Sequence, residues 1–240
     1  MKKMGKRGSL SVLLVSAVVT LALPHVPIAS YLVRPLVWLS TLAHELGHGV
    51  AAELVGGNFH RFEMFSNGSG VAFTSSSNRF QRAAISAGGL VGPAITSMFL
   101  FAMGRNERWA RVGLGLLATF YGLALILVVR NLFGMVFVAL LVALLVALLK
   151  WGNAAVAQFS LVFLAVNLAV SVFTRGDYLF TDTAHTARGA APSDVANMAK
   201  ALLLPYWFWG CVCGLLSVVA LGVGLWFYLR PAKAKSSPAA

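Results

Sequence analysis

Apolar residues occupy most of this chain in long runs that short polar segments separate. The runs lie near residues 10–32, 35–55, 83–103, 112–129, 132–149, 154–174 and 202–229. Each holds about 18–28 residues, and a helix of that length crosses the roughly 30 Å of hydrocarbon in a bilayer. The pattern predicts an all-α polytopic membrane protein with about seven transmembrane helices, in which residues 1–240 form a single membrane domain.

The boundary between the fourth and fifth runs is narrow, because only Arg130 and Asn131 interrupt the apolar pattern there. Two helices joined by a very tight turn are the prediction, and one long interrupted span is the alternative. At the other end of the chain, Pro24 and Pro27 are expected to kink or end the first helix.

Residues 56–80 break the helical pattern. Gly56-Gly57 is a typical stop for the preceding helix, which we place at 35–55. Aromatic-rich runs at 58–65 and 71–74 then flank a turn rich in Gly, Asn and Ser, which is typical of a β-hairpin. We expect a small interfacial β-hairpin whose edge can pair with an extended peptide. The alternative is an ordinary loop.

A second polar segment covers residues 175–199 and contains all three aspartates of the chain, Asp177, Asp182 and Asp194. We interpret it as a polar loop, and residues 231–240 as a flexible tail. Small residues at 87–93, between the two polar segments, are expected to pack closely against helix 35–55, because small side chains let helices approach each other in lipid.

Composition supports the membrane interpretation. The chain is 59% hydrophobic and 11% charged, with a mean hydropathy of +0.81. Its net charge of +12 would suggest nucleic acid in a soluble protein. Here the basic residues lie at the ends of apolar runs, which favours contact with anionic lipid head groups and no nucleic acid. Cys211 and Cys213 lie within an apolar run and are interpreted as packing residues.

The basic N-terminus predicts an orientation. Four basic residues among the first seven favour a cytoplasmic N-terminus. The first span then leads outward and the second returns, so the hairpin and the start of the third span are cytoplasmic. We expect a multi-pass protein of a bacterial cytoplasmic membrane.

The strongest chemical signal is His44-Glu45-Leu46-Gly47-His48 inside the second apolar run. On a helix, His44 and His48 share one face and can bind one Zn²⁺, and Glu45 can act as general base toward a water at that metal. Each ionisable group costs about 2.5–3.5 kcal/mol in a membrane-buried helix, so three of them need a function. A polar patch between helices is the alternative interpretation.

A catalytic zinc usually has three protein ligands, and the sequence leaves the third one open. Glu53 lies about 140° from His48 around the helix and faces elsewhere. Asp177 and Asp182 both follow the sixth span, whose end can come near the motif helix. Asn167, inside that span, is a further polar group at membrane depth, interpreted either as a site residue or as a helix-packing one.

These features together resemble the site-2 protease family of intramembrane zinc metallopeptidases. The resemblance rests on His44-Glu45-x-x-His48 in a span, the hairpin after it, Val91-Gly92-Pro93, and an Asn167 to Asp177 segment, and it covers about residues 36–180 as a protease-like core. Thr96 stands where the family usually has Asn, and the prolines that the family usually carries near its final Asp are missing.

The resemblance implies a function. It implies zinc bound by His44, His48 and Asp177, Glu45 as the catalytic base, and hydrolysis of a peptide bond in or near a transmembrane segment of a membrane-protein substrate. We expect no soluble recognition domain, so substrate selection would come from the membrane part, the hairpin, the 175–199 loop or a regulatory partner protein. The alternative is a membrane scaffold or sensor that binds zinc without proteolysis.

Overall fold

A computed structural model describes residues 6–25, 30–174 and 179–230. In these ranges the chain forms eight α-helices and two β-hairpins. The elements are α1 (Lys6–Ala22), a short 3₁₀ turn (Leu23–His25), α2 (Ser30–Leu54), β1 (Asn58–Met64), β2 (Gly70–Ser75), α3 (Arg79–Gly104), α4 (Glu107–Leu127), α5 (Leu132–Trp151), α6 (Ala154–Thr174), β3 (Thr183–Thr186), β4 (Gly189–Pro192), α7 (Asp194–Leu202) and α8 (Tyr206–Leu229).

Five of these helices, α3, α4, α5, α6 and α8, are long and apolar enough to cross a membrane. The protein is therefore a multi-pass integral membrane protein. The predicted count of seven spans is not confirmed. Helix α1 ends at Ala22, well before the predicted limit at residue 32, and its apolar part is short. Helix α2 is long, but it carries the charged and polar groups of the motif.

Helix α3 forms the centre of the bundle. It packs against α2, α6, α7 and α8, and it is the most buried of the five spans, whereas α5 is the least buried. The contact with α2 depends on small residues, as the sequence predicted. Each of Gly47, Gly88 and Gly92 approaches the opposite helix so closely that a Cβ would lie within 3.1 Å of a neighbouring atom.

Glycine also ends the motif helix. Gly56 has a φ of +77°, and the N–H of Gly57 donates to the carbonyl of Ala52 at 2.8 Å, which turns the chain out of α2. The β1–β2 hairpin follows as predicted, antiparallel, with Phe62 opposite Ala72. Its inner half lies inside the bundle, because Phe62 and Met64 are completely buried.

The break near Arg130 separates two helices, α4 and α5, as predicted. Their junction pairs with β1: the N–H of Phe62 donates to Val128, and the N–H of Arg130 donates to the carbonyl of Phe62. Strand β1 therefore lies between β2 and this junction. Among the described residues, β2 pairs only with β1, so its outer edge has no strand partner there.

The predicted polar loop is largely structured in its described part, 179–199. It forms the β3–β4 hairpin and the start of α7. The apolar face of α7, with Val195, Met198 and Ala201, packs with Leu90 of α3 and Cys213 of α8 in a second hydrophobic cluster. This packing holds the beginning of α7 against the bundle. The predicted tail, 231–240, lies outside the described residues.

Candidate metal centre

Helix α2 brings the two predicted histidines together. His44 and His48 are one turn apart, and their Nε2 atoms are separated by 3.1 Å. Glu45 lies beside them and is 5% exposed. The motif therefore lies in a protected region of the membrane domain, and both imidazoles present the same ring nitrogen to one point.

The third member of this cluster is Asp194, the first residue of α7. Its Oδ2 atom lies 3.2 Å from Nε2 of His44 and 3.4 Å from Nε2 of His48. The candidate ligand atoms of the three residues all lie within 4.8 Å of one another. Two residues from one helix and one from a distant helix thus converge on a single point.

The separations suit a tetrahedral zinc site. Ligand atoms that lie about 2.0–2.1 Å from a tetrahedral zinc ion are roughly 3.3 Å apart. The three observed separations are 3.1, 3.2 and 3.4 Å. Two imidazoles and one carboxylate also match the three-ligand sets of catalytic zinc sites, which leave a fourth position for water or substrate. The residues present therefore fit the metal.

A hydrogen bond fixes the orientation of the His48 ring. Its Nδ1 lies 2.8 Å from the carbonyl oxygen of Ile85 on α3, an acceptor that requires the proton on Nδ1. The lone pair on Nε2 is then available to a metal. Gly89 leaves room for the ring, since a Cβ at that position would lie 2.2 Å from a His48 ring atom.

Strand β2 forms the wall next to Glu45. A Cβ on Gly70 would lie 2.7 Å from the Glu45 carboxylate, so glycine is needed for this approach. The same carboxylate interacts with the backbone of Ala72. The candidate base is therefore held between the two histidines and strand β2.

The fold positions Asp194 in two ways. The side chain of Ser193 accepts a hydrogen bond from the N–H of Ala196 and caps α7, and the apolar face of the helix anchors it to α3 and α8. Burial by itself raises the pKa of Asp194. In the metal-free protein, the charge of protonated His48 and hydrogen bonds from both histidines outweigh burial and hold the pKa of Asp194 below its usual range, so its side chain is a carboxylate.

A cavity of about 710 Å³ opens over this cluster. Its floor holds His44, Glu45, His48 and Asp194. Residues of β2 and of the β3–β4 hairpin line it as well. Small side chains are common around it, among them Ser40, Ser69, Ala72, Ser86, Ala190 and Ala191. Residues of both hairpins therefore share one cavity with the candidate metal ligands.

The structure places the predicted residues as follows. His44, Glu45 and His48 come together as expected. Asp177 lies outside the described residues, so its role as a ligand stays a prediction. Asp182 is exposed, and its carboxylate accepts a hydrogen bond from Thr183, away from the cluster. Asn167 is buried one turn before Ser171, which lines the cavity.

Sequence reasoning did not select Asp194 as a ligand. The sequence does carry a local signal for a helix start here. Ser193 is a typical N-cap, and the residues after it have the apolar spacing of an amphipathic helix. That signal predicts a helix that starts at Asp194. It does not predict that the chain turns back and brings Asp194 next to α2. The hairpin β3–β4 makes that return.

Comparison with known protein families gives a match over most of the chain. The family model described as Peptidase M50B-like matches residues 12–224, which include α2, both hairpins and Asp194. No curated protein and no solved structure matches this chain.

Proposed function

This chain belongs to the Peptidase M50B-like family, the site-2 protease family, and on that premise we propose that it is an intramembrane zinc metalloendopeptidase. Family membership supports a membrane-embedded metalloprotease in general terms. The finer proposal is the cleavage of a peptide bond in or beside a transmembrane segment of another membrane protein, as in regulated intramembrane proteolysis.

The observation that carries this proposal is the convergence of three ligand atoms beside a buried carboxylate. His44, His48 and Asp194 present an imidazole, an imidazole and a carboxylate within 4.8 Å, and Glu45 follows His44 directly. A packing cluster requires no such combination, whereas a hydrolytic metal site requires both a ligand set and an adjacent base.

We assign the metal to His44, His48 and Asp194. Zinc bound there supplies Lewis acidity, which polarises a carbonyl and makes water more acidic. Asp177, the ligand that the family resemblance implied, is the competing third ligand. It is tested beside Asp194 below.

Glu45 is the proposed general base. It follows His44 on α2, and its carboxylate approaches Gly70 of β2. From there it can reach a water that lies between the metal position and a peptide beside β2. Glu45 takes the proton of the attacking water and then passes it to the leaving amine. Its burial among protein atoms keeps this proton within the site.

The outer edge of β2 is the proposed binding place for the substrate chain. A transmembrane helix must unwind before its backbone can be attacked, and an edge strand offers hydrogen bonds to the unwound segment. Residues 70–75 form that edge along the cavity wall. The surrounding lipid holds the remainder of the substrate in register with the site.

The test combines zinc content with cleavage. The detergent-solubilised protein is purified without chelators, and its zinc is measured per chain in the wild type and in Glu45→Gln, Asp194→Ala and Asp177→Ala, with Asp182→Ala as the matched control. The probe for cleavage is a fluorescently labelled single-span peptide whose helix contains a Gly-Pro pair near one end.

We expect about one zinc per chain in the wild type, Glu45→Gln and Asp182→Ala, and cleavage only in the wild type and Asp182→Ala. Asp194→Ala should lose more than the roughly 10- to 100-fold in affinity that outer partners of a zinc site contribute. Zinc lost from Asp177→Ala but kept by Asp194→Ala would transfer the ligand role to Asp177. Zinc binding with full cleavage by Glu45→Gln would exclude the mechanism, and zinc binding without any cleavage would favour a scaffold or sensor.

A further inference from the structure

The β3–β4 hairpin, called the strap below, lines the cavity and is attached to the rest of the protein at two points. One end is covalent, because β4 continues through Ser193 into Asp194 at the metal position. The other end is its tip, residues 186–189, which rests on the β1–β2 hairpin. The strands of the two hairpins belong to separate sheets, and residues of both line the cavity.

Three contacts hold the tip. The guanidinium of Arg188 donates to Oε2 of Glu63 from Nε at 2.8 Å and from a terminal nitrogen at 2.6 Å. The N–H of Ala187 donates to Oγ of Ser69 at 3.1 Å. The Arg188 guanidinium also lies 5.4 Å from the centre of the Phe73 ring. We call these contacts the latch.

The latch joins a buried group to an accessible one. The side chain of Glu63 is 9% exposed, whereas that of Arg188 is 52% exposed. Glu63 keeps a second cation when the tip leaves, since Nε of Arg61 lies 3.6 Å from its other oxygen. Arg61 also stacks on Phe73, at 4.1 Å. The Glu63 carboxylate therefore keeps a cationic partner when Arg188 moves away, which lowers the free-energy cost of releasing the tip.

With the latch closed, the chain and its contacts form a closed ring that includes lining residues of both hairpins. The ring runs from Asp194 along β4 to Arg188, across to Glu63, along the β1–β2 hairpin and α2 to His44, and back to Asp194. A short peptide can pass through such a ring by one of its ends. A substrate that spans the membrane and carries folded parts on both sides cannot, so it reaches the site only when the ring opens.

We propose that the β3–β4 hairpin is a substrate gate, and that the latch, with the Arg188–Glu63 pair as its ionic contact, excludes a continuous membrane-spanning chain until the tip is released. This proposal rests on the proposed peptidase function. It makes Arg188 a residue that sets selectivity for substrate length, acting through the position of the hairpin and not through contact with the reacting atoms.

The first experiment weakens the latch with Arg188→Gln. The matched control is Arg61→Gln, which removes the other cation of Glu63 and the other partner of Phe73 but leaves the strap untouched. Backbone amide exchange of residues 183–191 should become about tenfold faster in Arg188→Gln and remain unchanged in Arg61→Gln. The zinc content should remain at the wild-type level in both variants, because neither residue belongs to the ligand set.

Cleavage distinguishes a gate from a structural support. Two probes carry the same scissile sequence: a 12-residue peptide, and a single-span protein with a folded domain at each end. Arg188→Gln should raise kcat/KM for the spanning protein about three- to tenfold and leave that for the peptide within about twofold. A loss of activity toward both probes would mean that the hairpin supports the site, and equal rates for both enzymes would mean that the latch has no role.

The second experiment locks the gate reversibly. Ser69→Cys with Ala187→Cys, in a background with Cys211→Ser and Cys213→Ala, puts thiols on two residues that already touch, since the backbone N–H of Ala187 now donates to Oγ of Ser69. The oxidised protein should cleave the peptide and lose at least tenfold in rate on the spanning protein, and reduction with a phosphine should restore that rate. Equal rates on the spanning protein before and after reduction would overturn the proposal.

Binding separates this proposal from the peptidase function. In the Glu45→Gln background, the oxidised double-cysteine protein should bind the labelled spanning protein at least tenfold more weakly than the reduced protein does. If no variant cleaves any probe but this difference persists, the gate stands and the peptidase assignment fails. If the wild type cleaves, but the disulfide changes neither the binding nor the cleavage rate of the spanning protein, the gate fails and the peptidase assignment stands.

Discussion

At the scale of single residues, the site depends on glycines as much as on ligands. His48 can point its Nε2 at the metal position only because Gly89 leaves space for its ring, and Glu45 can face β2 only because Gly70 has no side chain. These glycines are therefore part of the geometry of the site although they carry no chemistry. Their effect is purely steric and can be tested by adding one methyl group.

Gly89→Ala should weaken zinc binding by at least about tenfold, since a methyl group 2.2 Å from the imidazole forces the His48 ring away. The matched control is Gly122→Ala in α4, where a Cβ would meet nothing within 4 Å. That change should leave zinc binding intact and stabilise the helix by roughly 0.5–1 kcal/mol. Zinc titration and thermal unfolding in detergent measure both effects. Wild-type zinc affinity in Gly89→Ala would show that the His48 ring can bind the metal from a different position.

At the scale of elements, β1 is the piece that ties the site to the bundle. It pairs with β2 on one side and with the α4–α5 junction on the other. Asn131 completes this junction with two hydrogen bonds to the backbone of Met64, one accepted at 3.0 Å and one donated at 2.5 Å. The Asn131 side chain thus makes the two hydrogen bonds to Met64 that a neighbouring strand would make, at the point where α4 and α5 separate.

Asn131→Ala should destabilise the protein by about 1–3 kcal/mol, because it leaves the buried N–H and C=O of Met64 without these partners. Amide exchange at Met64 should accelerate with it. Asn58→Ala removes only an exposed contact with Ser75 and should change stability by less than about 0.5 kcal/mol. Equal stability of the two variants would show that the junction does not hold β1 in place.

At the scale of the whole molecule, the site lies toward one end of the bundle. Helix α3 begins beside the hairpins and, with 26 residues, extends roughly 39 Å, enough to reach the opposite surface. Both hairpins and the cavity therefore belong to the end where α3 starts. The basic N-terminus predicts that this end faces the cytoplasm, which would make the substrate gate accessible to cytoplasmic partners.

Single cysteines test this orientation in a background with Cys211→Ser and Cys213→Ala. A membrane-impermeant maleimide added to intact cells should label Arg108→Cys, at the start of α4 just beyond the far end of α3, and should label Ser77→Cys only after the membrane is permeabilised. The reverse pattern would invert the proposed orientation. Labelling of both positions from one side would contradict a membrane-spanning α3.

Sequence alone determined the membrane class, the position of the metal motif and the hairpin after it. The reason is that each depends on local order: an apolar run that matches the bilayer, two histidines four positions apart, and aromatic runs around a Gly-rich turn. The two-helix interpretation at Arg130 also followed from the local interruption of the apolar pattern. The number of spans did not follow, since the apolar part of α1 is short and α2 mixes apolar and ionisable groups.

Only the tertiary structure decided which distant groups meet. Asp194 joins His44 and His48 because the β3–β4 hairpin reverses the chain and the apolar face of α7 docks on α3 and α8. Arg188 meets Glu63 across 125 positions of sequence for the same reason. Contacts of this kind depend on the summed packing of several elements, and no periodicity or spacing along the chain encodes them directly.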